Sequence, residues 1–289
     1  MAEPKTYLVV NPKSAGGRTG KAFPEIAAAV RSAIGEFDHA FTARIGDGIS
    51  LTREALRKGY DRVVAVGGDG TANEVVNGFY EGDVRLGKDA SFALIPRGTG
   101  GDLRKAFGWT NELKQACERL KRNQAMPMDL GKVSFVGHDG KPQHRYFVNV
   151  ASAGDSGVVD DEVNKASKAL GGTISFQLAS LRALLKYSDK PILLTLDDQP
   201  PESLRVTCLA VGNGQYFGSG MWVCPAARMD DGIFDITVWS GFGLKDFALN
   251  KGRIYDGSHV TMKGAKTYKA KRVHAHSDHE VLLDIDGEQ

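Results

Sequence analysis

Three glycine-rich segments in this chain are suited to holding anionic oxygen: Asn11-Pro12-Lys13-Ser14-Ala15-Gly16-Gly17, Gly67-Gly68-Asp69-Gly70-Thr71 and Pro96-Arg97-Gly98-Thr99-Gly100-Gly101-Asp102. Glycine lets backbone approach a ligand with no Cβ in the way, and free N–H groups at a strand-to-helix junction point towards negative charge. Asp69 would repel a bare phosphate. A divalent cation between the two removes that conflict, so the second loop suits Mg-ATP more than free phosphate. Thr71 and Glu74 also admit a structural reading, as a capping box for the helix that follows. The first loop has neither the P-loop spacing nor a GxGxxG fingerprint. At the other end of the chain, Asp284-Ile285-Asp286-Gly287-Glu288 offers two carboxylates flanking a glycine. Phosphoryl transfer to an alcohol needs Mg²⁺ to spread charge, donors to hold the phosphates in line and a carboxylate to take the hydroxyl proton. Asp69 and Asp102 can orient the metal or its water shell, and Asp286 or Glu288 can take the proton. Taken alone, Asp-Gly-Glu at a strand end is also an ordinary turn.

The elements that must position these loops are visible as patterns. Tyr7–Val10, Arg62–Val66 and Phe92–Ile95 are short, continuously apolar runs, each ending in a glycine loop, as expected of strands buried on both faces of a parallel sheet. Phe23, Ile26, Ala27, Val30 and Ile34 repeat at helical spacing, as do Leu113, Ala116, Cys117 and Leu120 after a capping Asn111. This predicts an α/β fold with a doubly wound N-terminal domain whose loops gather at the carboxyl ends of its strands. From about Asp129 the texture becomes β-rich. Lys132–Val136 and Tyr146–Val150 flank His138-Asp139-Gly140 as a hairpin, followed by Ile192–Leu196, Arg205–Val211, Ile233–Val238 and Val281–Ile285. One helical stretch, Ser175–Tyr187, interrupts them. The expected boundary gives domains 1–128 and 129–289.

Composition narrows the class. With 289 residues, 42% hydrophobic and 25% charged, the chain is globular and long enough for two domains. A net charge of +2 gives no basic stripe for nucleic acid. Cys117, Cys208 and Cys224 are three, without CxxC spacing, which points away from a disulfide framework or zinc ribbon and towards a reducing compartment. The charged N-terminus does not read as a signal peptide, and no apolar run approaches the roughly 20 residues that span a bilayer. A cytoplasmic protein with room for peripheral membrane contact is expected, and a homo-oligomer is compatible with the composition.

Taken together, Asn11-Pro12-x-Ser14, Gly67-Gly68-Asp69-Gly70-Thr71 with Asn73-Glu74-Val75-Val76-Asn77-Gly78, and Pro96-x-Gly98-Thr99-Gly100-x-Asp102 resemble, in order and spacing, the diacylglycerol kinase and sphingosine kinase family. Asn213-Gly214, Pro225-x-Ala227, Asp230-Asp231-Gly232-x-x-Asp235 and the closing Asp-Gly-Glu extend the resemblance over essentially the whole chain. It implies a nucleotide-binding α/β domain, a C-terminal β-sandwich-like domain, and transfer of the ATP γ-phosphoryl group to a lipid hydroxyl at a membrane surface, diacylglycerol first among the acceptors. By residue it places Asn11, Ser14, Thr42, Gly67, Gly68, Asp69, Gly70, Thr71, Asn73, Glu74, Gly98, Thr99 and Asp102 at the nucleotide. Asp231, with the carbonyls of Arg228 and Ile233, matches a structural Mg²⁺ site, and Asp286 and Glu288 match the catalytic pair. The family usually carries Asn where this chain has Gly101, and usually continues beyond the position of Gln289, so a short or truncated C-terminus is expected. An NAD kinase shares the Gly-Gly-Asp-Gly-Thr loop and two-domain plan, and a catalytically impaired lipid- or nucleotide-binding regulator is a further alternative.

Other groups invite readings of their own. His274 and His276 would share a strand face and fit a solvated edge better than a metal site, since no carboxylate or cysteine completes a ligand set. Lys263, Lys266, Lys269, Lys271 and Arg272 form a basic run that either meets anionic headgroups or lies on a solvated strand face. Tyr216 and Phe217 are expected to touch substrate, Met221 to pack the core, and Asp155, Asp160 and Asp161 to cap or solvate.

Overall fold

The computed structural model describes residues 3–137, 139–154 and 189–287. The chain divides into two compact units, Met1–Pro127 and Met128–Gln289. The helical stretch expected at 175–187, and Asp155, Asp160, Asp161, His138 and Glu288, lie outside the described residues.

In the first unit the chain runs β1 (Thr6–Val10), α1 (Arg18–Ile34), β2 (Asp38–Phe41), α2 (Asp47–Arg57), β3 (Arg62–Gly67) and α3 (Asp69–Gly78). A short hairpin of β4 (Tyr80–Glu81) and β5 (Val84–Arg85), then β6 (Ser91–Pro96), α4 (Asp102–Ala106) and α5 (Leu113–Arg122), complete it. The sheet is parallel throughout, in the order β2-β1-β3-β6. All six residues of β3 are buried, which is why it reads as an unbroken apolar run. β2 leaves no such trace, because its Asp38-His39-Ala40-Phe41 sits at the sheet edge and stays largely exposed. One layer of core joins Leu8, Val10, Val64, Val66 and Ile95 of the sheet to Phe23, Ile26, Val30 and Ile34 of α1 and Ala116, Cys117 and Leu120 of α5. The cap of α5 is not Asn111. Glu112 occupies that position in extended conformation, and its N–H donates 3.3 Å to the Thr110 hydroxyl.

The second unit holds β7 (Gly131–Val136), β8 (Pro142–Phe147), β9 (Val150–Gly154), β10 (Lys190–Leu196), β11 (Glu202–Val206), β12 (Cys208–Gly212) and β13 (Phe234–Trp239). After them come α6 (Leu244–Tyr255), β14 (Ala265–Ala270), β15 (Val273–His276) and β16 (Leu283–Ile285). The hairpin expected near Asp139-Gly140 forms between β7 and β8, but its second strand is Pro142–Phe147. The run Tyr146–Val150 is broken at Val148-Asn149, where the chain leaves one sheet for another. Likewise Arg205–Val211 is two strands in two sheets, divided at Thr207, whose hydroxyl donates 2.7 Å to Asp189 Oδ1 and accepts from Phe242 N–H at 3.0 Å. Five antiparallel strands, β14-β13-β12-β9-β16, face the three-stranded sheet β11-β10-β15. Ile192, Leu194, Leu204 and Val206 of the smaller sheet pack against Ala153, Leu209, Ile236 and Val238 of the larger. The other face of the larger sheet is covered by Met221, Val223, Cys224, Ala227 and Ile254 of α6, so the β-sandwich gains a third layer. α6 carries a weak apolar pattern and escapes sequence reading; Asp246 starts it by accepting the Gly243 N–H at 3.0 Å.

Candidate functional site

The glycine loops follow the carboxyl ends of β1, β3 and β6, where ligands bind in open α/β sheets. The second and third loops touch through backbone. A Cβ on Gly98 would fall 2.5 Å from Gly68 Cα, one on Gly68 would fall 3.0 Å from Gly98 Cα, and one on Gly67 would overlap the Thr71 side chain. These glycines therefore serve close approach of chain to chain as well as access for a ligand. Gly98 and Thr99 lie exposed. Gly101 starts α4 with φ +65°, a left-handed conformation that Asn also tolerates.

The polar residues of the signature are largely spent on joining one loop to another. Asn11 Nδ2 donates to Thr71 Oγ1 at 3.2 Å, tying the first loop to the second. Ser14 Oγ lies 2.6 Å from Thr19 Oγ1 and 2.9 Å from the Asn11 carbonyl. The Asp69 carboxylate accepts from Asp102 N–H and Leu103 N–H, both at 3.1 Å, and so caps α4 from the neighbouring helix. Asp102 is buried and pairs with Lys105 at 3.0 Å. Glu74 accepts from Gly46 N–H and Gly48 N–H, both at 2.8 Å. Thr71 and Glu74 therefore form no capping box. The N-cap of α3 is Gly68, without a side-chain cap, and the carboxylate at position 74 caps α2 instead. Asn73 is buried beside Asn77, whose Nδ2 donates to the Asn73 carbonyl at 2.9 Å and to its Oδ1 at 3.1 Å. Thr42 is buried and its N–H donates 2.9 Å to the Val10 carbonyl, which extends the β1–β2 pairing by one residue.

In the second unit Asp286 stands just past β16 with φ +55°. Its Oδ2 accepts from Val148 N–H at 2.7 Å, and its Oδ1 from Asn149 N–H at 2.9 Å and Val150 N–H at 3.0 Å. The carboxylate thus holds the break between β8 and β9. Gly287, with φ +84°, donates 2.7 Å to Asp284 Oδ1. Asn213 Nδ2 reaches the carbonyls of Val148 at 2.6 Å and Asp129 at 2.8 Å, and Asn149 Nδ2 donates to the Tyr216 carbonyl. Gly214 follows because a Cβ there would overlap Asn149 Oδ1. Asn149 and Asp129 are the members of this knot that sequence reasoning missed. The one signal was an Asn flanked by Val148 and Val150.

Asp129 also straps the turn expected to hold metal. Its Oδ2 accepts from Gly232 N–H at 2.6 Å and its N–H donates to the Met229 carbonyl at 2.8 Å. Within that turn Asp231 Oδ1 accepts from Ile233 N–H at 3.1 Å, while the Arg228 guanidinium pairs with Asp230 at 3.3 Å. A cation held by Asp231 and backbone carbonyls of this turn would meet oxygen donors alone, the kind a hard, largely hydrated ion such as Mg²⁺ takes. No group of three or more His, Cys, Asp or Glu among the described residues forms a metal cluster. Asp235, four residues on, is buried beside Lys269, and burial pushes its carboxyl above the usual range while Lys269 pulls it back.

Three of the five cations of the basic run stand in ion pairs: Lys266 with Glu202 at 2.7 Å, Lys269 with Asp235 at 3.3 Å and Arg272 with Asp198 at 2.6 Å. Phe217 packs against the core of Met221, Val223 and Cys224, and Tyr216 stacks on Trp222 with ring centroids 5.7 Å apart, both half-buried. His274 and His276 lie on β15 at the edge of its sheet, exposed, with His276 Nε2 3.4 Å from Asp278. No helix among the described residues is long and apolar enough to cross a membrane.

Both units have relatives among known proteins. Residues 5–133 match the family described as diacylglycerol kinase catalytic domain, and residues 149–289 match the YegS C-terminal NAD kinase beta sandwich-like domain. A probable lipid kinase YegS-like protein of Pseudomonas aeruginosa is 32% identical over 82% of this chain and 73% of its own length. A diacylglycerol kinase of Staphylococcus carnosus is 25% identical over 98% of this chain and 88% of its own. A putative diacylglycerol kinase from Bacillus anthracis superposes with a TM-score of 0.76 at 25% identity, covering 100% of this chain and 92% of its own. The yeast NADH kinase matches with a TM-score of 0.53 at 9% identity, a likeness of fold alone.

Proposed function

From its place in the family of diacylglycerol kinases and YegS-like lipid kinases, to which the chain belongs, we propose that it transfers the γ-phosphoryl group of ATP to the hydroxyl of diacylglycerol, giving phosphatidic acid. That it is a lipid kinase, a transferase, follows from the family. The observation that carries the choice of ATP is the first unit itself, in which three glycine loops at the carboxyl ends of parallel strands are locked together before any ligand arrives. Such preorganisation lowers the cost of fixing the phosphates in line. Mg²⁺ carried by the nucleotide would spread charge over the phosphates, with Asp69 and Asp102 the carboxylates nearest in sequence to the loops. The turn of Arg228, Asp231 and Ile233 would take a second, structural ion.

Of the two carboxylates in Asp286-Gly287-Glu288, the first is committed to three amides, which favours it as the anchor and Glu288 as the group that takes the lipid hydroxyl proton. A lipid acceptor places the reaction at a membrane surface. The test is transfer of radiolabelled phosphate from ATP over a panel of diacylglycerol, phosphatidylglycerol, ceramide and a sphingoid base, with NAD added as a competing acceptor. Label in phosphatidic acid is expected. Label on NAD, or on another lipid in preference, would overturn the assignment.

A further inference from the structure

The loop that follows β2 is held more firmly than its position at a sheet edge requires. Thr42 N–H donates to the Val10 carbonyl at 2.9 Å, and Lys13 Nζ donates to the Ala43 carbonyl at 3.0 Å. Asp47 Oδ2 accepts from Ala43 N–H at 2.9 Å and Arg44 N–H at 3.0 Å, and its Oδ1 takes the Arg44 Nε at 3.2 Å. Those amides hold the Asp47 carboxyl below the usual range. From α3, Glu74 takes the N–H groups of Gly46 and Gly48. A Cβ on Gly48 would stand 2.6 Å from Glu74 Oε2, so the close approach of α3 to this loop depends on that glycine. At the tip stands Ile45, 85% exposed, the most exposed of the large apolar side chains among the described residues. It adds nothing to the core, and a loop fixed by two carboxylates and a lysine presents it to solvent in one place.

We propose that Ile45 is the platform against which the base of the bound nucleotide rests. The inference depends on the reading that the first unit binds ATP, and it adds how the base is recognised. Lys13 of the first glycine loop and Glu74 of the helix behind the second both reach this loop, so it borders the place where the phosphates would lie. In doubly wound folds the nucleoside extends from the phosphate loops towards the end of the second strand, where a carboxylate commonly takes the ribose. Here the acids near that position, Asp47 and Glu74, are engaged with backbone amides, and the loop offers outward the aliphatic Ile45 beside Arg44, whose guanidinium is paired with Asp47. Apolar contact with the flat face of a purine is then the available interaction.

The experiment uses the whole chain and two probes in the presence of Mg²⁺, ATP and inorganic tripolyphosphate, with affinities measured for the parent, Ile45→Ser and Ile45→Met. Losing the aliphatic contact should weaken ATP about fivefold to tenfold in Ile45→Ser. Tripolyphosphate, which has no base, should bind all three proteins alike, and Ile45→Met should stay within about twofold of the parent for ATP. Unchanged ATP affinity in Ile45→Ser would overturn the proposal. So would parallel loss of ATP and tripolyphosphate, which marks damage to the loop, or loss of binding to anionic phospholipid vesicles with ATP affinity intact, which marks a membrane contact. A parent that binds tripolyphosphate but gains nothing from the nucleoside would sink the role of Ile45 alone, whereas a parent that binds neither would sink the nucleotide site with it.

Discussion

Replacing Asp286 by Asn separates its anchoring role from any part in proton transfer, because Asn tolerates the φ of +55° that the turn requires. The side chain keeps its shape but loses one acceptor. Oδ1 accepts from two amides, Asn149 and Val150, and Oδ2 from Val148, so the new carbonyl oxygen should take the first place and the new NH₂ the second. There it would oppose the Val148 N–H across a former bond of 2.7 Å. Leaving that amide without an acceptor costs about 1–3 kcal/mol, and the two surviving bonds weaken as the charge disappears. With a urea slope of about 2 kcal/mol/M, the midpoint should fall by about 0.5–1.5 M. Fluorescence of Trp222 and Trp239, both in the second unit, reports the transition. Turnover measured well below that transition, beside Glu288→Gln, then assigns the chemistry: removing the general base costs about 10² to 10⁴ in rate with ATP affinity hardly changed. A midpoint within about 0.2 M of the parent would refute the anchor, since the loss of even one such bond exceeds that shift. Near-parent turnover in both variants would refute a base in this motif.

Gly98→Ala should weaken ATP binding about fivefold or more, by calorimetric titration, because the added methyl meets Gly68 Cα at 2.5 Å and overpacking of that kind costs about 1–3 kcal/mol; parent-like affinity would mean the two loops are not in backbone contact. His259 is fully buried with its ring nitrogens 3.3 Å from the carbonyls of Arg253 and Val223, and burial holds its pKa below the ordinary value. The unfolded chain then takes up the proton first, so His259 costs the fold stability as pH falls through about 6.5, with a slope of up to about 1.4 kcal/mol per pH unit that His259→Gln should remove. Denaturation midpoints of parent and variant that run parallel between about pH 7.5 and 5.5 would count against this. Replacing Lys266 and Glu202 together by Gln should change binding to anionic vesicles by less than about twofold, because the exposed pair carries no net charge. A larger, salt-sensitive loss in a vesicle sedimentation assay would return the basic run to the membrane.

The sequence by itself determined the elements whose cause is local. Buried parallel strands announce themselves as apolar runs such as Arg62–Val66, α1 shows the spacing of its core face, and the glycine loops stand where strand gives way to helix. The order of the motifs carried the family, the two-part plan and the residues of the candidate site. Elements without a local signature were not legible: β2 is polar because it lies at an edge, α6 has a thin apolar face, and Arg205–Val211 looks continuous although the chain changes sheets at Thr207. The partner of each carboxylate was invisible too. Glu74 finds its amides 26 and 28 residues back, Asp69 finds its own 33 and 34 residues ahead, and Asp286 closes on residues up to 138 positions away. A carboxylate reads the same in sequence whether it caps a helix, holds a strand break or stands open to a substrate. Only the tertiary structure brings amide donors to it, and those donors decide which use it is put to.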